Sequence, residues 1–281
     1  MEYLRHRGER IPLIGLGTYR FGENGRQDEI AVLKYGISRL GMTLLDTAEM
    51  YGGGLSEEIL GEAVRGLDRE SLFIVDKILP HNAAAGRFFE SCTRSLERLG
   101  TDCIDLYLLH WRGDADLQQT VFEMERLVSE GLIRHWGVSN FDTDDMQELF
   151  ECEMGSRCFC DQILYNITAR GAEFDLIPWC KEHDVLVMGY SPLCNCSSAR
   201  QAVAGGALAA DIAAREGKTP ESLMLSFAVR NRDIAAVFKT ASIPHLEWNM
   251  QNVFEPIPPE ELELLSAKYP PPDRKYPLEK I

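Results

Sequence analysis

Short apolar segments alternate with segments of helical period along almost the whole chain, and this alternation is the feature that most restricts the possible fold. The apolar segments are rich in Val, Ile and Leu, which is typical of parallel strands covered on both faces. The predicted strands are 11–17, 43–45, 72–75, 104–109, 133–138, 158–164, 185–188 and 234–238. The first of them closes a hairpin that begins at residue 3. The predicted helices are 27–40, 56–65 with Ser56 as its N-cap, 86–99, 116–129, 143–151, 173–183, 207–215, 221–230, 244–252 and 259–267.

Strand–helix units of this kind build a parallel sheet with right-handed connections. About eight such units with no linker between them predict one α/β domain over residues 1–281, closed as a (β/α)8 TIM barrel. An N-terminal β-hairpin would precede the barrel, and extra C-terminal helices would follow it. An open, doubly wound sheet is the alternative fold.

Charge and composition narrow the range of partners. The formal net charge of −15 argues against nucleic acid or an anionic membrane as the main partner. There is no apolar run of about 18 residues that would span a membrane. Residues 1–10 are charged and lack the apolar core of a signal peptide, so we expect a cytoplasmic protein. The eight cysteines form no CxxC motif and are expected to be buried thiols without a metal, a redox switch at Cys194 and Cys196 being the alternative.

Polar residues stand where the predicted strands end. The loops that follow the strands of a parallel barrel gather on one face and carry its chemistry, so these residues are expected to meet there. Each of them alone also has an ordinary structural explanation, such as a helix cap, a solvated strand end or a buried histidine. The residues are Asp46, Lys77, His110, Ser139, Asn140, Gln162, Tyr190, Ser191 and Lys239, with Tyr51 in the first of these loops.

Four of these residues together suit the protonation of a carbonyl oxygen. A free phenol titrates near pH 10 and is a poor acid at neutral pH. An ammonium about 4 Å away would lower the pKa of Tyr51 towards neutrality, and Asp46 would keep Lys77 charged. His110 can hydrogen-bond the carbonyl oxygen and orient it. Neither a nucleophile nor a metal is evident, so a nicotinamide hydride is the fitting source of electrons.

At this point the chain resembles the aldo-keto reductases over nearly its whole length. The motifs that carry the resemblance are 46–52 (DTAEMYG), Lys77, 105–111 (DLYLLHW), 137–141 (GVSNF), Gln162 with 165–166 (YN), 190–193 (YSPL) and 239–249. The resemblance implies an NAD(P)H-dependent oxidoreductase that reduces an aldehyde or ketone to an alcohol. It also implies a catalytic tetrad of Tyr51 as general acid, Lys77, Asp46 and His110.

The resemblance further implies a cofactor site along the same rim. Ser139, Asn140 and Gln162 would hold the nicotinamide carboxamide, and Tyr190 would stack on the ring. Further residues would contact the pyrophosphate, the 2′-phosphate and the adenine: Ser191 and Leu193, then Lys239, Thr240, Ser242 and His245, then Asn249.

The chain departs from the family pattern at three places. His245 stands where an arginine is frequent, and a histidine is only partly charged at neutral pH and lacks the bidentate fork of arginine. Trp248 stands where an acid often precedes Asn249. Lys239 favours NADPH, with NADH use left open. The loop 194–198 is short, which predicts a weak grip on the cofactor.

The substrate itself is not evident from the sequence. The expected pocket wall consists of rim residues near the tetrad: Tyr19, Phe21, Met50, Leu79, His81 and Trp111. Arg20 and His81 are candidates for binding a carboxylate. The proline-rich tail 269–281 either covers part of the mouth or is loosely ordered. We expect a monomer acting on a small-molecule carbonyl or alcohol. The alternatives are a regulatory NADP(H)-binding protein with little turnover and, less in keeping with a single well-placed carboxylate, a glycosidase.

Overall fold

A closed barrel of eight parallel strands forms the centre of the computed structural model, which describes residues 1–23, 25–84, 86–194 and 196–281. Going round the barrel, the strands follow the order β10-β3-β4-β5-β6-β7-β8-β9, and β9 pairs with β10 to close it. The strands are β1 (Tyr3–His6), β2 (Glu9–Pro12), β3 (Ile14–Gly17), β4 (Leu44–Asp46), β5 (Phe73–Ile78), β6 (Ile104–Leu109), β7 (Ile133–Ser139), β8 (Cys160–Leu164), β9 (Leu186–Tyr190) and β10 (Ile234–Phe238). The prediction of a (β/α)8 barrel is confirmed.

Helices surround the barrel and bury their apolar faces against it. They are α1 (Arg26–Leu40), α2 (Leu55–Val64), α3 (Phe88–Leu99), α4 (Leu117–Ser129), α5 (Thr143–Glu151), α6 (Leu176–Glu182), α7 (Ser197–Ala204), α8 (Ala207–Arg215), α9 (Pro220–Ala228), α10 (Ile243–Met250) and α11 (Pro259–Lys268). None of the helices in the described part of the chain has both the length and the apolar content that crossing a bilayer requires.

The antiparallel hairpin of β1 and β2 covers the end of the barrel at which the strands begin. His6 packs edge-on against Phe159 just before β8, with ring centres 4.7 Å apart, and His135 of β7 stacks on the same ring at 4.2 Å. Ile11 of β2 is fully buried. The hairpin therefore closes the floor and leaves the opposite rim, where the strands end, for chemistry.

Three local predictions were wrong. The segment 11–17 is two strands, since the chain leaves the hairpin after Pro12 and enters the barrel at Ile14. Gly54 is the N-cap of α2, whereas the hydroxyl of Ser56 is buried and donates to the carbonyl of Thr18. A stretch expected to be irregular contains α7, whose N-cap is the thiol of Cys196.

Strands β5 and β9 extend further toward the rim than predicted, so that Lys77 and Tyr190 lie inside them, and Gln162 lies inside β8, within the predicted strand 158–164. The close fit of the barrel wall is evident at Gly137, where a Cβ atom would lie 2.3 Å from the backbone oxygen of Cys160. These residues are thus held by strand backbone rather than by loops, which fixes the position of their side chains.

Candidate active site

A buried ion pair lies at the centre of the rim. Lys77 Nζ is 2.7 Å from Asp46 Oδ2 and also donates to the backbone oxygen of Thr47 at 2.8 Å. The Lys77 side chain is fully buried and Asp46 nearly so. Burial opposes the charge on Lys77, but the attraction of Asp46 and then of Tyr51 outweighs it and raises the pKa of the ammonium. Lys77 is therefore charged at neutral pH.

The phenol of Tyr51 lies beside this ammonium. Lys77 Nζ is 5.2 Å from the centre of the Tyr51 ring, in the turn that follows β4. Burial raises the pKa of Tyr51 to about 12, although the attraction of Lys77 acts in the opposite direction. The expectation that Lys77 brings this pKa near neutrality is not met, because removing the phenolate from water costs more than the ammonium returns. Tyr51 is a protonated phenol over the whole neutral range.

His110 completes the group on the β6 side. Its ring centre is 5.6 Å from that of Tyr51, in an edge-on arrangement, and 5.1 Å from that of Trp111. Burial and then Lys77 lower the pKa of His110 to about 3, so the imidazole is neutral. A neutral imidazole offers one N–H donor and one acceptor. Its Nδ1 has no hydrogen-bond partner among the described residues.

Hydrogen bonds connect Asp46 and His110 to residues of β7, β8 and β9 on the rim. Gln162 Nε2 donates to Asp46 Oδ2 at 2.7 Å and lies 3.1 Å from Met188 Sδ. Asn140 Nδ2 donates to the His110 carbonyl at 3.1 Å. The Tyr190 hydroxyl donates to Asn140 Oδ1 at 2.7 Å. Of the residues predicted to hold the carboxamide, Gln162 is thus hydrogen-bonded directly to Asp46 of the tetrad.

Ser139 and Asn140 are fixed by the neighbouring strand. The Ser139 hydroxyl donates to the backbone oxygen of Gln162 at 2.8 Å and accepts from Asn140 Nδ2 at 3.0 Å. Asn140 has a positive φ of 62°, a conformation that asparagine tolerates better than most residues. The two side chains are therefore set in place before any ligand arrives.

The phosphate end of the expected cofactor site lies along the loops after β9 and β10. Ser191 has a positive φ of 52°, and its carbonyl accepts from Asn166 Nδ2 at 3.1 Å. Lys239 is half-buried and makes no ion pair within the described parts of the chain. Ser242 caps α10 by accepting from the backbone N–H of His245.

The other residues expected at this end differ in their exposure. Leu193, Thr240 and Asn249 are buried, and the side chain of His245 is exposed to solvent. The exposed positions after β10 therefore begin in the first turn of α10, at Pro244 and His245. Asn195, which falls in the loop predicted to be short, lies outside the described residues.

The residues of the expected pocket wall lie in three places. Tyr19 and Trp111 flank the tetrad, with the Tyr19 ring 5.2 Å from that of Tyr51. Phe21 is buried, and the Lys239 ammonium lies 5.7 Å from its ring centre, so Phe21 belongs with the phosphate end. The remaining positions, Met50, Leu79 and His81, lie on the loops after β4 and β5, with His81 and Trp111 on the wall of an open cleft of about 560 Å³.

Two other predictions can be compared with the structure. Among the described residues the cysteines are free, with Cys194 buried and Cys196 exposed, and no group of possible ligands is arranged for a metal. Lys275 of the tail pairs with Asp144 and Asp175 at 3.0 and 3.3 Å. The tail is therefore held at the rim, against the starts of α5 and α6, and the backbone of its last residue, Ile281, lies beside Tyr190.

Sequence reasoning missed two contributors. The backbone oxygen of Thr47 is the second acceptor for Lys77, and no sequence signal indicates it. Glu49, between Asp46 and Tyr51, accepts hydrogen bonds from three groups of the next unit. Its place inside the DTAEMYG motif was a usable signal.

Comparison with known proteins identifies the family of the chain. The model of the Aldo/keto reductase family matches residues 13–270. The chain is 40% identical over 273 residues to methylglyoxal reductase YeaE of Escherichia coli (strain K12), covering 96% of this chain and 95% of that protein. It is 33% identical over 208 residues to an NADH-specific methylglyoxal reductase of the same strain, covering 64% and 63%. Among solved structures, an aldo/keto reductase from Klebsiella pneumoniae in complex with NADP and acetate superimposes with a TM-score of 0.95 and 42% identity, covering 100% of this chain and 99% of that one.

Proposed function

The chain belongs to the aldo/keto reductase family, an oxidoreductase family acting on carbonyl groups, and from that premise we propose that it reduces small aldehydes or ketones with NADPH and with Tyr51 as proton donor. The observation that carries the proposal is the wholly buried Lys77 ammonium, bonded to Asp46 and adjacent to the Tyr51 ring. A charge is expensive to bury, and here its surroundings are a carboxylate and a phenol at the mouth of a barrel.

The proton transfer follows from the four side chains. Tyr51 gives its hydroxyl proton to the carbonyl oxygen as charge develops there, and Lys77 stabilises the phenolate left behind. Asp46 keeps Lys77 charged and in place. Neutral His110 donates a hydrogen bond that orients the same oxygen. When bound, the reduced cofactor supplies the hydride that the carbonyl carbon gains.

The residues at the phosphate end suit an NADP-type cofactor. Lys239 is half-buried, makes no ion pair in the described residues, and has its pKa lowered by burial. A phosphate beside it would stabilise the ammonium and would itself gain a charge-assisted hydrogen bond. The capped N-terminus of α10 lies three residues further along the chain, and helix N-termini favour phosphate. The Klebsiella pneumoniae structure holds NADP, which supports the same assignment.

The relatives suggest a substrate class. Two are named methylglyoxal reductases, one of them aligned over nearly all of this chain. We propose that small α-oxoaldehydes such as methylglyoxal are among the substrates. The aromatic side chains of Tyr19 and Trp111 beside the tetrad provide an apolar wall for such a molecule.

The test of the reaction is Tyr51→Phe, which removes one oxygen atom. With methylglyoxal and NADPH, the variant should lose reduction by at least about a thousandfold while its affinity for NADPH stays within about threefold. Tyr3→Phe, which removes the same atom on the barrel floor, serves as the matched control. Turnover by Tyr51→Phe at the wild-type rate would refute the mechanism. Tight NADPH binding without turnover of any carbonyl by the wild type would favour the regulatory alternative.

The test of the cofactor is Lys239→Met. The loss of one charge-assisted contact to the 2′-phosphate should raise the Kd of NADPH about tenfold to a hundredfold and leave that of NADH unchanged. Lys181→Met is the control, because Lys181 is exposed and pairs with Asp233 at the start of β10, the opposite end from Lys239. Equal weakening of both cofactors would argue against a 2′-phosphate contact.

A further inference from the structure

Glu49 lies two residues before Tyr51 and is tied to the next strand–helix unit. Its backbone N–H donates to the Lys77 carbonyl at 3.3 Å. Its carboxylate accepts from the backbone N–H of Leu79 at 2.6 Å and from Asn82 Nδ2 at 3.0 Å, and it also accepts a short hydrogen bond from the Ser91 hydroxyl. All three donors follow Lys77 in the chain, on the loop after β5 and on α3.

These contacts are of the kind that fix position. Hydrogen bonds to an ionised carboxylate are about twice as strong as bonds between neutral groups. Glu49 makes no ion pair with a cation in the described ranges, so its carboxylate has neutral donors. A carboxylate on neutral donors that all come from one neighbouring unit acts as an anchor between two loops.

The same helix also holds the other end of the Tyr51 turn. Arg98 is bound by Glu57 through two hydrogen bonds of 2.7 and 3.1 Å, and its side chain packs against Gly54. Ser91 and Arg98 are seven residues apart on α3, which places them on one face of the helix. The turn that carries Tyr51 is therefore held by α3 both before and after the phenol.

The turn itself has little stiffness of its own. Gly52 and Gly53 follow Tyr51 directly, with positive φ values of 61° and 64°. Glycine has the widest conformational freedom of any residue, so such a turn keeps one shape only if it is held from outside. The position of the phenol relative to Lys77 depends on that support.

We propose that Glu49 is a positioning residue for the reduction, holding the Tyr51 turn against the segment that follows Lys77. This inference rests on the proposed function, in which the Tyr51 phenol and the Lys77 ammonium act together. Glu49 touches neither substrate nor cofactor in this assignment. The residues assigned to the cofactor lie at the ends of β7, β8, β9 and β10 and in the segments that follow them, whereas Glu49 follows β4. Loss of the anchor should therefore change the chemical step and leave cofactor binding intact.

The first experiment compares two substitutions of one residue. Glu49→Ala should lower kcat about tenfold to a hundredfold, since small misplacements of reacting groups have effects of this size. KM and the Kd of NADPH should stay within about threefold, with one NADPH bound per chain. Glu49→Gln keeps the acceptor oxygen for Leu79 and Asn82 and can donate to the Ser91 hydroxyl, so it should retain at least about a third of kcat. Glu58→Ala, an exposed glutamate on α2, is the control.

The second experiment leaves Glu49 itself unchanged. Asn82→Asp replaces a donor with a second carboxylate facing Glu49, and like charges at this distance repel. The Glu49 carboxylate should raise the pKa of the introduced aspartate above its usual value of about 3.9, so kcat relative to wild type should fall as pH rises from about 5 to 8. Asn231→Asp, an exposed site at the opposite end of the barrel, should show a flat ratio. A merely structural defect would lower the bound NADPH stoichiometry rather than produce a pH-dependent ratio.

The results separate this inference from the proposed function. If wild type reduces carbonyls and Tyr51→Phe does not, the function stands and the Glu49 variants test the anchor alone. Wild-type kcat in Glu49→Ala, a loss in Glu49→Gln equal to that in Glu49→Ala, or a flat ratio for Asn82→Asp would each overturn the inference. If Glu49→Ala does not fold, Asn82→Asp still decides.

Discussion

Replacing Lys77 with methionine tests the electrostatic basis of the site. Methionine has a similar length but carries no charge and no N–H donor. The substitution removes the ammonium that lies 5.2 Å from the Tyr51 ring and 2.7 Å from Asp46. On the proposed mechanism, negative charge develops on the phenol oxygen as its proton leaves, and Lys77→Met leaves that charge without a counter-ion.

The size of the effect follows from the distance. At the 5.2 Å between Nζ and the ring centre and an effective dielectric constant of about 20, the attraction between two unit charges is about 3 kcal/mol. If the transition state uses all of this energy, kcat falls about one- to two-hundredfold. The pKa of Tyr51, which Lys77 lowers in the wild type, should rise further.

Stability changes through the partner of Lys77. Asp46 would remain buried, with Gln162 as its one charge-neutral donor in the described residues. Breaking a buried ion pair by removing one partner lowers the free energy of unfolding by about 3–5 kcal/mol, and protonation of the remaining carboxylate reduces this loss. The double variant Asp46→Asn with Lys77→Met should recover much of this stability and none of the activity.

Single-turnover oxidation of bound NADPH gives the chemical rate, and urea unfolding gives the stability. Lys181→Met, an exposed lysine on α6, controls for loss of charge alone. A rate for Lys77→Met within about threefold of wild type, with NADPH bound stoichiometrically, would refute the electrostatic argument. Recovery of activity in the double variant would do the same.

Three further outcomes follow from other parts of the structure. His110 is held neutral with a pKa of about 3, so it binds a proton more readily in the unfolded chain, and the free energy of unfolding should rise with pH between about 3 and 6.5. His110→Asn should reduce that slope, measured by urea unfolding, by at most about 1.4 kcal/mol per pH unit. Burial raises the pKa of Asp161, and its Oδ2 has no partner among the described residues, so Asp161 destabilises the folded protein as pH rises above 3.8. Asp161→Asn should increase the free energy of unfolding by about 1–3 kcal/mol at neutral pH and by little at lower pH, measured by urea unfolding. Gly54→Ala would place a Cβ 2.6 Å from Arg98 Cδ at a position with a φ of 99°. It should lower the free energy of unfolding by about 1–3 kcal/mol in thermal unfolding and should lower kcat. Gly66→Ala, with open space around its Cβ, should show the cost of backbone strain alone.

The barrel could be predicted from the sequence because its determinants are periodic. Parallel strands buried on both faces are continuous apolar runs, and the helices between them carry a helical period. The prediction was wrong where the determinant was not periodic. Pro12 marks the end of the hairpin, but no polar residue interrupts 11–17, so the segment was predicted as one strand. Helix α7 begins at a cysteine cap in a stretch of small polar residues, which gives no apolar stripe to detect.

The identities of the rim residues were also predictable, because strand ends converge in a parallel barrel. Their second partners were not. Gln162 was expected to face the cofactor, and its amide also donates to Asp46 across the barrel mouth. Phe21 was expected near the substrate, and it lies beneath Lys239. Contacts of this kind join strands that are distant in sequence, so neither spacing nor residue type encodes them.

The pKa of Tyr51 shows why proximity alone is a poor guide to acidity. The sequence placed an ammonium near the phenol, and attraction alone would have brought the pKa toward neutrality. Burial of the phenol raises it to about 12 instead. For a proton donor this is no handicap, because the alkoxide that forms on a reduced carbonyl is more basic than a phenolate, and the transfer still runs downhill. The reverse reaction needs the phenolate first, and burial makes that form scarce at neutral pH. On the proposed mechanism, the environment of Tyr51 therefore favours the enzyme form that reduces carbonyls over the form that oxidises alcohols.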